Sequence, residues 1–202
     1  MTLPKFVFVH IPKSGGTTLR EIIKGVYKDT YLLDRGSWSK RNGVIKINYN
    51  NDKYPKKYKS YYIIHSHSSM KRYEHLNWKM ITLLRHPIKR LISEYSMISH
   101  YSPKFFKKYE DIVDFCYKED RVNFLSKMSG GDLDKFDFVG ITEKYDQSIE
   151  MFSKFLGIVI PTYKKLNVTP VKLNIDKKYI TKLKDINKQD IDLYNLANRR
   201  YR

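Results

Sequence analysis

A glycine-containing loop near the beginning of the chain has the residue types of an anion site. Residues 11–18 read Ile-Pro-Lys-Ser-Gly-Gly-Thr-Thr and lie between an apolar run and a stretch with helical spacing. Two glycines let the backbone turn tightly and approach a ligand, while the N–H groups at the start of a helix favour an oxyanion. A lysine adds positive charge, and three hydroxyls add donors. We therefore predict an anion site formed by Lys13, Ser14, Gly15, Gly16, Thr17 and Thr18.

The order of the lysine and the glycines separates this loop from two familiar nucleotide-binding loops. A Walker A loop has its lysine after the glycines, at the start of the helix, whereas Lys13 precedes both glycines. The dinucleotide pattern G-x-G-x-x-G does not match the loop either. Thr18 and Glu21 match a capping box at the start of the helix. The alternative interpretation of the loop is a tight turn without a ligand, in which Thr18 only caps the helix.

An arginine at the end of another apolar run offers a second anion contact. Arg85 follows residues 80–84, and Ser93 comes eight residues later on a predicted helix. A guanidinium presents a planar fork of donors that matches a phosphate, and a serine hydroxyl can add one more. The alternatives are a surface ion pair between Arg85 and Glu94 and a solvated position for Ser93.

Histidines near the end of a third apolar run are candidates for a general base. Residues 63–67 read Ile-Ile-His-Ser-His, so His67 lies at or just past the end of a strand predicted over residues 61–65. An imidazole near its ordinary pKa accepts a proton near neutral pH. His65 points to the same face, as a core residue, a supporting residue or a second candidate base, and Glu94 is a third candidate. Because the histidines are scattered and Cys116 is the single cysteine, we predict no metal site.

The hydrophobic pattern alternates between strands and helices. Strands are predicted over residues 6–11, 61–65, 80–84 and 136–141, and helices after residue 18, from Pro87, and over residues 105–117, 122–128, 145–156 and 191–199. Residues 28–60 are predicted as loops with one weak strand over 44–49. This alternation is typical of an α/β fold with a mainly parallel central sheet flanked by helices. We predict one domain over residues 1–202, with ligands at the carboxyl ends of the strands.

The chain is strongly basic. Its 202 residues include 39 Lys and Arg against 21 Asp and Glu, a net charge of +18. Such a charge attracts nucleic acid, phosphorylated nucleotides, acidic lipid surfaces or acidic polysaccharides, and charge alone does not choose among them. Residues 50–59 interleave basic and aromatic residues, a pattern that fits a groove for a sugar acceptor, a site for single-stranded nucleic acid or a solvated loop. No apolar run approaches the ~20 residues of a membrane helix, and no signal segment is visible, so we expect a cytoplasmic protein.

Several segments together resemble one enzyme family. Residues 10–18 resemble the 5′-phosphosulfate loop of sulfotransferases that use 3′-phosphoadenosine 5′-phosphosulfate (PAPS), most closely the carbohydrate group around the heparan sulfate 2-O- and 6-O-sulfotransferases. Residues 84–95 resemble the family's 3′-phosphate segment, although His86 replaces the usual Asp. Residues 138–149 resemble a later strand–helix segment, and residues 123–130 and 166–169 are weaker matches, all in the family's order.

The resemblance implies sulfuryl transfer from PAPS to a hydroxyl, with a carbohydrate as the expected acceptor class and no metal. Lys13 would stabilise the charge on the leaving phosphate, and His67 would be the general base. The loop from Ser14 to Thr18 would hold the 5′-phosphate, while Arg85 and Ser93 would hold the 3′-phosphate. Two other functions are compatible with the charged segments: a nucleotide or small-molecule kinase with an atypical phosphate loop, and a nucleic-acid-binding protein without catalysis. We predict no specific nucleic-acid partner and no membrane span, and the oligomeric state is not predicted.

Overall fold

A five-stranded parallel sheet forms the centre of the fold. The computed structural model describes residues 3–34, 37–41, 44–48, 60–160, 162–164, 166 and 173–200. The strands are β1 Phe6–Val9, β2 Tyr31–Asp34, β3 Ser37–Arg41, β4 Val44–Asn48, β5 Ile63–Ser66, β6 Lys79–Leu84 and β7 Phe138–Ile141. The sheet has the order β2-β5-β1-β6-β7 with every neighbouring pair parallel, while β3 and β4 form a separate antiparallel pair.

Helices cover both faces of this sheet. The described α-helices are α1 Gly16–Tyr27, α2 Pro87–Tyr101, α3 Pro103–Phe106, α4 Ile112–Lys118, α5 Phe124–Ser129, α6 Tyr145–Leu156, α7 Lys177–Ile186 and α8 Lys188–Arg199. No described helix combines the length and the apolar character that crossing a membrane requires. The predicted α/β class with a mainly parallel sheet is confirmed.

The central strand β1 shows why the sheet must be covered on both sides. Its four residues alternate between the two faces and are all buried. Phe6 and Phe8 pack in the cluster that contains residues of α1 and α6, while Val7 and Val9 pack in the cluster that contains residues of α5 and α8. A strand buried on both faces is apolar at every position, which is the pattern of residues 6–11 in the sequence.

A third apolar cluster lies beside the sheet and supports the helix that follows β6. It joins the buried faces of α2, α4 and α7, with Leu91, Phe115 and Leu183 among its members. Because α2 begins two residues after Arg85, this packing fixes the direction in which that arginine leaves the sheet.

The strand order brings three loops to one edge. Strand β1 lies between β5 and β6, so the chain segments that follow these three strands leave from adjacent carboxyl ends. In open parallel sheets ligands bind in the crevice outside these ends, where successive connections diverge to opposite sides. The three segments contain residues 10–15, 67–69 and 85–86, which are the segments that the sequence singles out.

Several boundaries differ from the prediction. The four predicted strands and the weak strand at β4 are present, but β2 and β3 lie in the region predicted as loops. The helix predicted over residues 105–117 is two helices, because Asp111 caps α4 by accepting bonds from Val113 N and Asp114 N. Helix α7 was not predicted. The predicted capping box is wrong, since α1 begins at Gly16 and the Thr18 hydroxyl accepts a bond from Leu166 N at 2.9 Å.

Candidate active site

The loop between β1 and α1 turns through two residues with left-handed backbone. Lys13 has φ 67° and Gly15 has φ 76°, with Ser14 between them outside the left-handed region. Alternating residues of opposite hand turn successive N–H groups toward one side, which is the geometry of an anion-binding nest. This conformation is uncommon for a lysine, and such strain persists only where surrounding contacts hold it.

Those contacts come from three other elements and bind the carbonyl groups of the loop. Arg85 Nη1 donates to Lys13 O at 3.1 Å, Thr142 Oγ1 lies 2.8 Å from Ser14 O, and the Tyr145 hydroxyl donates to Gly15 O at 3.1 Å. The carbonyl groups are therefore held on the outside of the loop. Since α1 begins here, its first N–H groups lack partners within the helix and are available to an anion on the other side.

The hydroxyl of Ser14 is a further donor at this loop. The residue is completely buried, and its Oγ has no hydrogen-bond partner among the described residues. Buried hydroxyls nearly always have a partner, so an unbonded one at an anion-binding loop indicates a position for a ligand oxygen.

The second glycine of the loop accommodates a histidine ring. His10 lies against Gly16 so closely that a Cβ at position 16 would be 2.1 Å from His10 Nε2. Gly15 has its own constraint, because a Cβ there would lie 3.0 Å from the Tyr145 ring and its φ is positive. Both glycines are therefore required by the packing of the loop.

Substitution of Gly16 by alanine is expected to destabilise the protein by about 1–3 kcal/mol, the usual cost of overpacking. Chemical unfolding would measure this change. In a His10→Ala background the same substitution should cost clearly less, because the ring that it meets is gone. Gly25→Ala is the matched control on the same helix, where a Cβ meets nothing within 4 Å and alanine should be neutral or stabilising. An equal cost of Gly16→Ala in both backgrounds would contradict the contact with His10.

Lys13 and Arg85 form a positive region at the edge of the sheet. Lys13 Nζ lies 3.5 Å from Met97 Sδ, a weak acceptor. Burial lowers the pKa of Lys13, Glu94 raises it and Arg85 lowers it. Burial also lowers the pKa of Arg85, while Glu143 raises it. Holding two partly desolvated cations close together costs free energy, and an anion bound between them offsets this cost.

Glu94 is bound by two arginines and does not pair with Arg85. Arg90 Nη1 donates to one oxygen at 2.7 Å and Arg121 Nε to the other at 2.9 Å. Burial opposes its ionisation, but Arg121 and Arg90 hold the pKa of Glu94 below its ordinary value. A buried carboxylate with both oxygens bound to guanidinium groups is a poor proton acceptor, which disfavours Glu94 as the base. Ser93 is buried beside it on α2.

His65 in β5 and His67 just after it lie close to His10, which follows β1. The register pairs Val9 with Ser66, which puts His10 opposite His67, and their ring centroids are 4.4 Å apart. His65 is completely buried, with Nε2 2.8 Å from His10 Nδ1 and Nδ1 bonded to the Tyr31 hydroxyl. With both ring nitrogens of His65 engaged and only His67 partly exposed, the geometry favours His67 as the histidine that can reach a substrate.

Burial keeps these imidazoles neutral. It is the main cause that lowers the pKa of His67 to about 4, and Arg20 lowers it further, while a hydrogen bond to the His10 backbone raises it. Burial and the charge of His67 lower the pKa of His65 to about 2. Neutral rings retain a lone pair for a proton or a metal ion at neutral pH.

This histidine cluster was not predicted. One ligand nitrogen from each of His10, His65 and His67 lies within 4.8 Å of the others, a group that could hold a metal ion. The prediction that the histidines are scattered is therefore wrong for these three, while the absence of a metal stays a prediction. The missing signal was the pairing of the two parallel strands, which the spacing along the chain does not show.

Other predicted features are placed elsewhere or lie outside the described residues. His86 donates its backbone N–H to Glu143 at 3.1 Å, and its ring packs 5.4 Å from that of Tyr194. The basic and aromatic segment at residues 50–59 and the residues 167–169 lie outside the described part of the chain.

Comparisons with known proteins give one family match and several similar structures. The sequence model of the Sulfotransferase family matches residues 3–197. Mouse sulfotransferase SULT7A1 complexed with PAP is similar in structure, with 16% identity, 90% of this chain covered and a TM-score of 0.48; this chain spans 62% of the mouse chain. A sulfotransferase from Alicyclobacillus acidocaldarius has 13% identity, with 96% of this chain and 94% of that chain covered and a TM-score of 0.48. No curated protein sequence matches significantly. Because the family match extends over nearly the whole sequence, this protein belongs to the sulfotransferase family.

Proposed function

We propose that the protein transfers a sulfuryl group from PAPS to a hydroxyl of an acceptor, with a carbohydrate as the acceptor class. The observation that carries the proposal is the loop at residues 11–18, whose carbonyl groups are bonded on the outside by Arg85, Thr142 and Tyr145. The loop offers its N–H side, a buried hydroxyl and a lysine to an anion. The carbohydrate is supported by the resemblance of residues 10–18 to the loop of carbohydrate sulfotransferases and by the net charge of +18, which suits an acidic polysaccharide.

The donor has two anionic groups, and two regions of the sheet edge are suited to them. The 5′-phosphosulfate fits the loop from Ser14 to Thr18, at the start of α1. The 3′-phosphate fits Arg85, with the Ser93 hydroxyl as a second donor. Arg85 bonds the loop carbonyl through Nη1, so its other nitrogen atoms can contact a phosphate while it holds Lys13 in place.

The chemistry requires a cation at the leaving group and a base at the acceptor. The acceptor oxygen forms a bond to sulfur, and the bond between sulfur and the bridging oxygen breaks, so that the electron pair moves to the leaving phosphate. Lys13 stabilises this charge, and the lowered pKa of its ammonium group makes it a stronger hydrogen-bond donor. His67 takes the proton of the acceptor hydroxyl, since it is neutral and partly exposed.

Ligand-induced thermal stabilisation tests the donor assignment against the two alternatives. Adenosine 3′,5′-bisphosphate at 100 times its Kd should stabilise the protein by about 2.7 kcal/mol. If the protein is a kinase, ATP with Mg²⁺ should stabilise it instead. If it binds nucleic acid, an oligonucleotide should stabilise it, and this measurement is made at two salt concentrations. Transfer from sulfur-labelled PAPS to a panel of sugar, lipid-linked and phenolic acceptors then identifies the acceptor. Stabilisation by ATP and not by the bisphosphate would refute the proposal.

Replacement of Arg85 by alanine is expected to weaken the binding of adenosine 3′,5′-bisphosphate by about 1.5–3 kcal/mol, the value of a charge-assisted hydrogen bond. The binding of adenosine 5′-monophosphate, which lacks the 3′-phosphate, should be weakened much less. Calorimetric titration of both ligands measures the difference. Lys89→Ala is the control, because it removes one exposed positive charge from α2, the helix that follows Arg85. Equal weakening of both ligands by Arg85→Ala would exclude a contact with the 3′-phosphate.

A further inference from the structure

Three of the six histidines form one cluster at the carboxyl ends of β1 and β5. The ring centroids of His10, His65 and His67 lie 4.4 to 5.4 Å apart, and one nitrogen from each lies within 4.8 Å of the others. His10 and His65 are buried and His67 is partly exposed, so the cluster is closed on the inside and open at His67.

Two of these imidazoles have an outer partner that would orient them as metal ligands. His65 Nδ1 bonds the Tyr31 hydroxyl, which leaves Nε2 directed at His10. The His67 ring bonds the backbone carbonyl group of His10. Histidines that bind a metal through one nitrogen usually donate the other N–H to such a partner, which fixes the ring and its tautomer.

The donor set indicates which cation would fit. Three neutral imidazoles without a carboxylate suit Zn²⁺ and other late first-row metals, whereas Mg²⁺ and Ca²⁺ prefer oxygen. Zn–N bonds of about 2.0–2.1 Å in a tetrahedron put ligand nitrogens about 3.3 Å apart. His10 Nδ1 and His65 Nε2 are 2.8 Å apart and the three ligand nitrogens lie within 4.8 Å of one another, so side-chain rotations that break this hydrogen bond would bring them to these distances.

The surrounding charge is positive but partly compensated. Arg20 lies close enough to all three histidines to lower the pKa of each, and Lys24 does so for His65. Both cations pair with Glu21, Arg20 at 2.8 Å and Lys24 at 3.8 Å. The repulsion that a divalent ion meets is therefore reduced by a carboxylate on the same helix.

We propose that His10, His65 and His67 bind one Zn²⁺ ion or a similar late transition-metal ion, with the fourth position open to solvent at His67. Three nitrogen ligands with one open position is an arrangement that zinc adopts in proteins. The ion inhibits transfer, because His67 cannot accept a proton while its lone pair is on the metal. This second part rests on the proposed function, and the binding itself does not.

Calorimetric titration of the full chain with ZnCl₂, after treatment with a chelator, tests the site directly. We expect one Zn²⁺ per chain and no heat of binding from MgCl₂. His67→Ala should weaken the binding of Zn²⁺ at least tenfold. Tyr31→Phe keeps the aromatic ring but removes the hydroxyl that bonds His65, and it should weaken the binding of Zn²⁺ roughly tenfold. His75→Ala is the matched control, since His75 is exposed and outside the cluster. Melting temperatures establish that each variant is folded.

Two binding results would overturn the site: no saturable Zn²⁺ binding by the native chain, or the same affinity in the His67→Ala variant. The activity measurement is separate. Zn²⁺ should inhibit sulfuryl transfer over the concentration range in which it binds, and a chelator should restore the rate. Full activity of the Zn²⁺-saturated protein would overturn the inhibition. A protein that binds Zn²⁺ but transfers no sulfuryl group to any acceptor would refute the proposed function and leave the metal site supported.

Discussion

Replacing His67 with alanine is expected to lower the rate of sulfuryl transfer roughly 10²–10⁴-fold, the range for loss of an acid–base group. His67 is partly exposed at the end of β5, whereas His65 is buried with both nitrogens engaged and Glu94 is bound by two arginines. The affinity for adenosine 3′,5′-bisphosphate should not change, because the base contacts the acceptor. Single-turnover kinetics with PAPS measures the rate, and His75→Ala is the control.

The pH profile gives a second readout of the same residue. His67 accepts a proton only when neutral, and its pKa is lowered to about 4, so kcat/KM should stay level at neutral pH and fall as the pH drops toward 4. The bound donor is anionic and favours the charged ring, so kcat should fall at a higher pH than kcat/KM. The His67→Ala variant should lose this dependence. These assays are made with a chelator, and the folded fraction is measured at each pH.

Folding is linked to the same histidine in a definite direction. In the unfolded chain the ring has an ordinary pKa of about 6.5, so the unfolded state takes up the proton first as the pH falls. The stability that this histidine contributes is therefore complete above about pH 6.5 and is lost as the pH falls toward 4.

A His67→Ala variant that keeps most of its transferase activity and an unchanged pH profile of that activity would remove His67 from the mechanism.

Replacing Lys13 with alanine is expected to lower kcat roughly 10²–10³-fold, the effect of removing one donor that stabilises a developing negative charge. Charge on the bridging oxygen grows mainly in the transition state, so the loss should fall on kcat more than on the affinity for the donor. The comparison of kcat with the Kd of adenosine 3′,5′-bisphosphate tests this split.

Two controls keep this result interpretable. Lys104→Ala removes an exposed positive charge elsewhere and should leave both quantities unchanged. Unfolding measurements on Lys13→Ala are needed because Lys13 has φ 67°, and the substitution acts on the backbone of the loop as well as on its charge. An unchanged kcat with a raised KM for the donor would make Lys13 a binding residue only.

The central strand β1 could be predicted because it is apolar on both faces. Residues 6–9 alternate between two apolar clusters and need no polar position. Strand β2 has a weaker signal, because its apolar run is only three residues long, and it lies at one edge of the sheet, beside β5, with three of its four residues half-buried.

The site was predictable where its residues follow one another in the chain. The glycine loop and Arg85 lie where the pattern of strand and helix put them. The partners of Glu94 and the histidine cluster were not predictable, because Arg121 comes from 27 residues further along and His10 from 55 residues before His65. Contacts of this kind depend on which strands and helices are neighbours in the fold. The spacing of residues along the chain does not show this arrangement.

The two arginines that bind the buried Glu94 limit which substitutions the sequence can accumulate at these positions. Arg90 comes from the same helix and Arg121 from the segment before α5, and both lie over the ring of Phe124 at 4.9 Å. Loss of Glu94 leaves both arginines without their counter-ion, and loss of either arginine leaves one carboxylate oxygen of Glu94 without its charged partner, whereas exchange of the whole group for apolar residues of similar volume is tolerated. These three positions are therefore free to vary only as a unit, and a lineage that crosses from one state to the other must pass through intermediates that fold poorly.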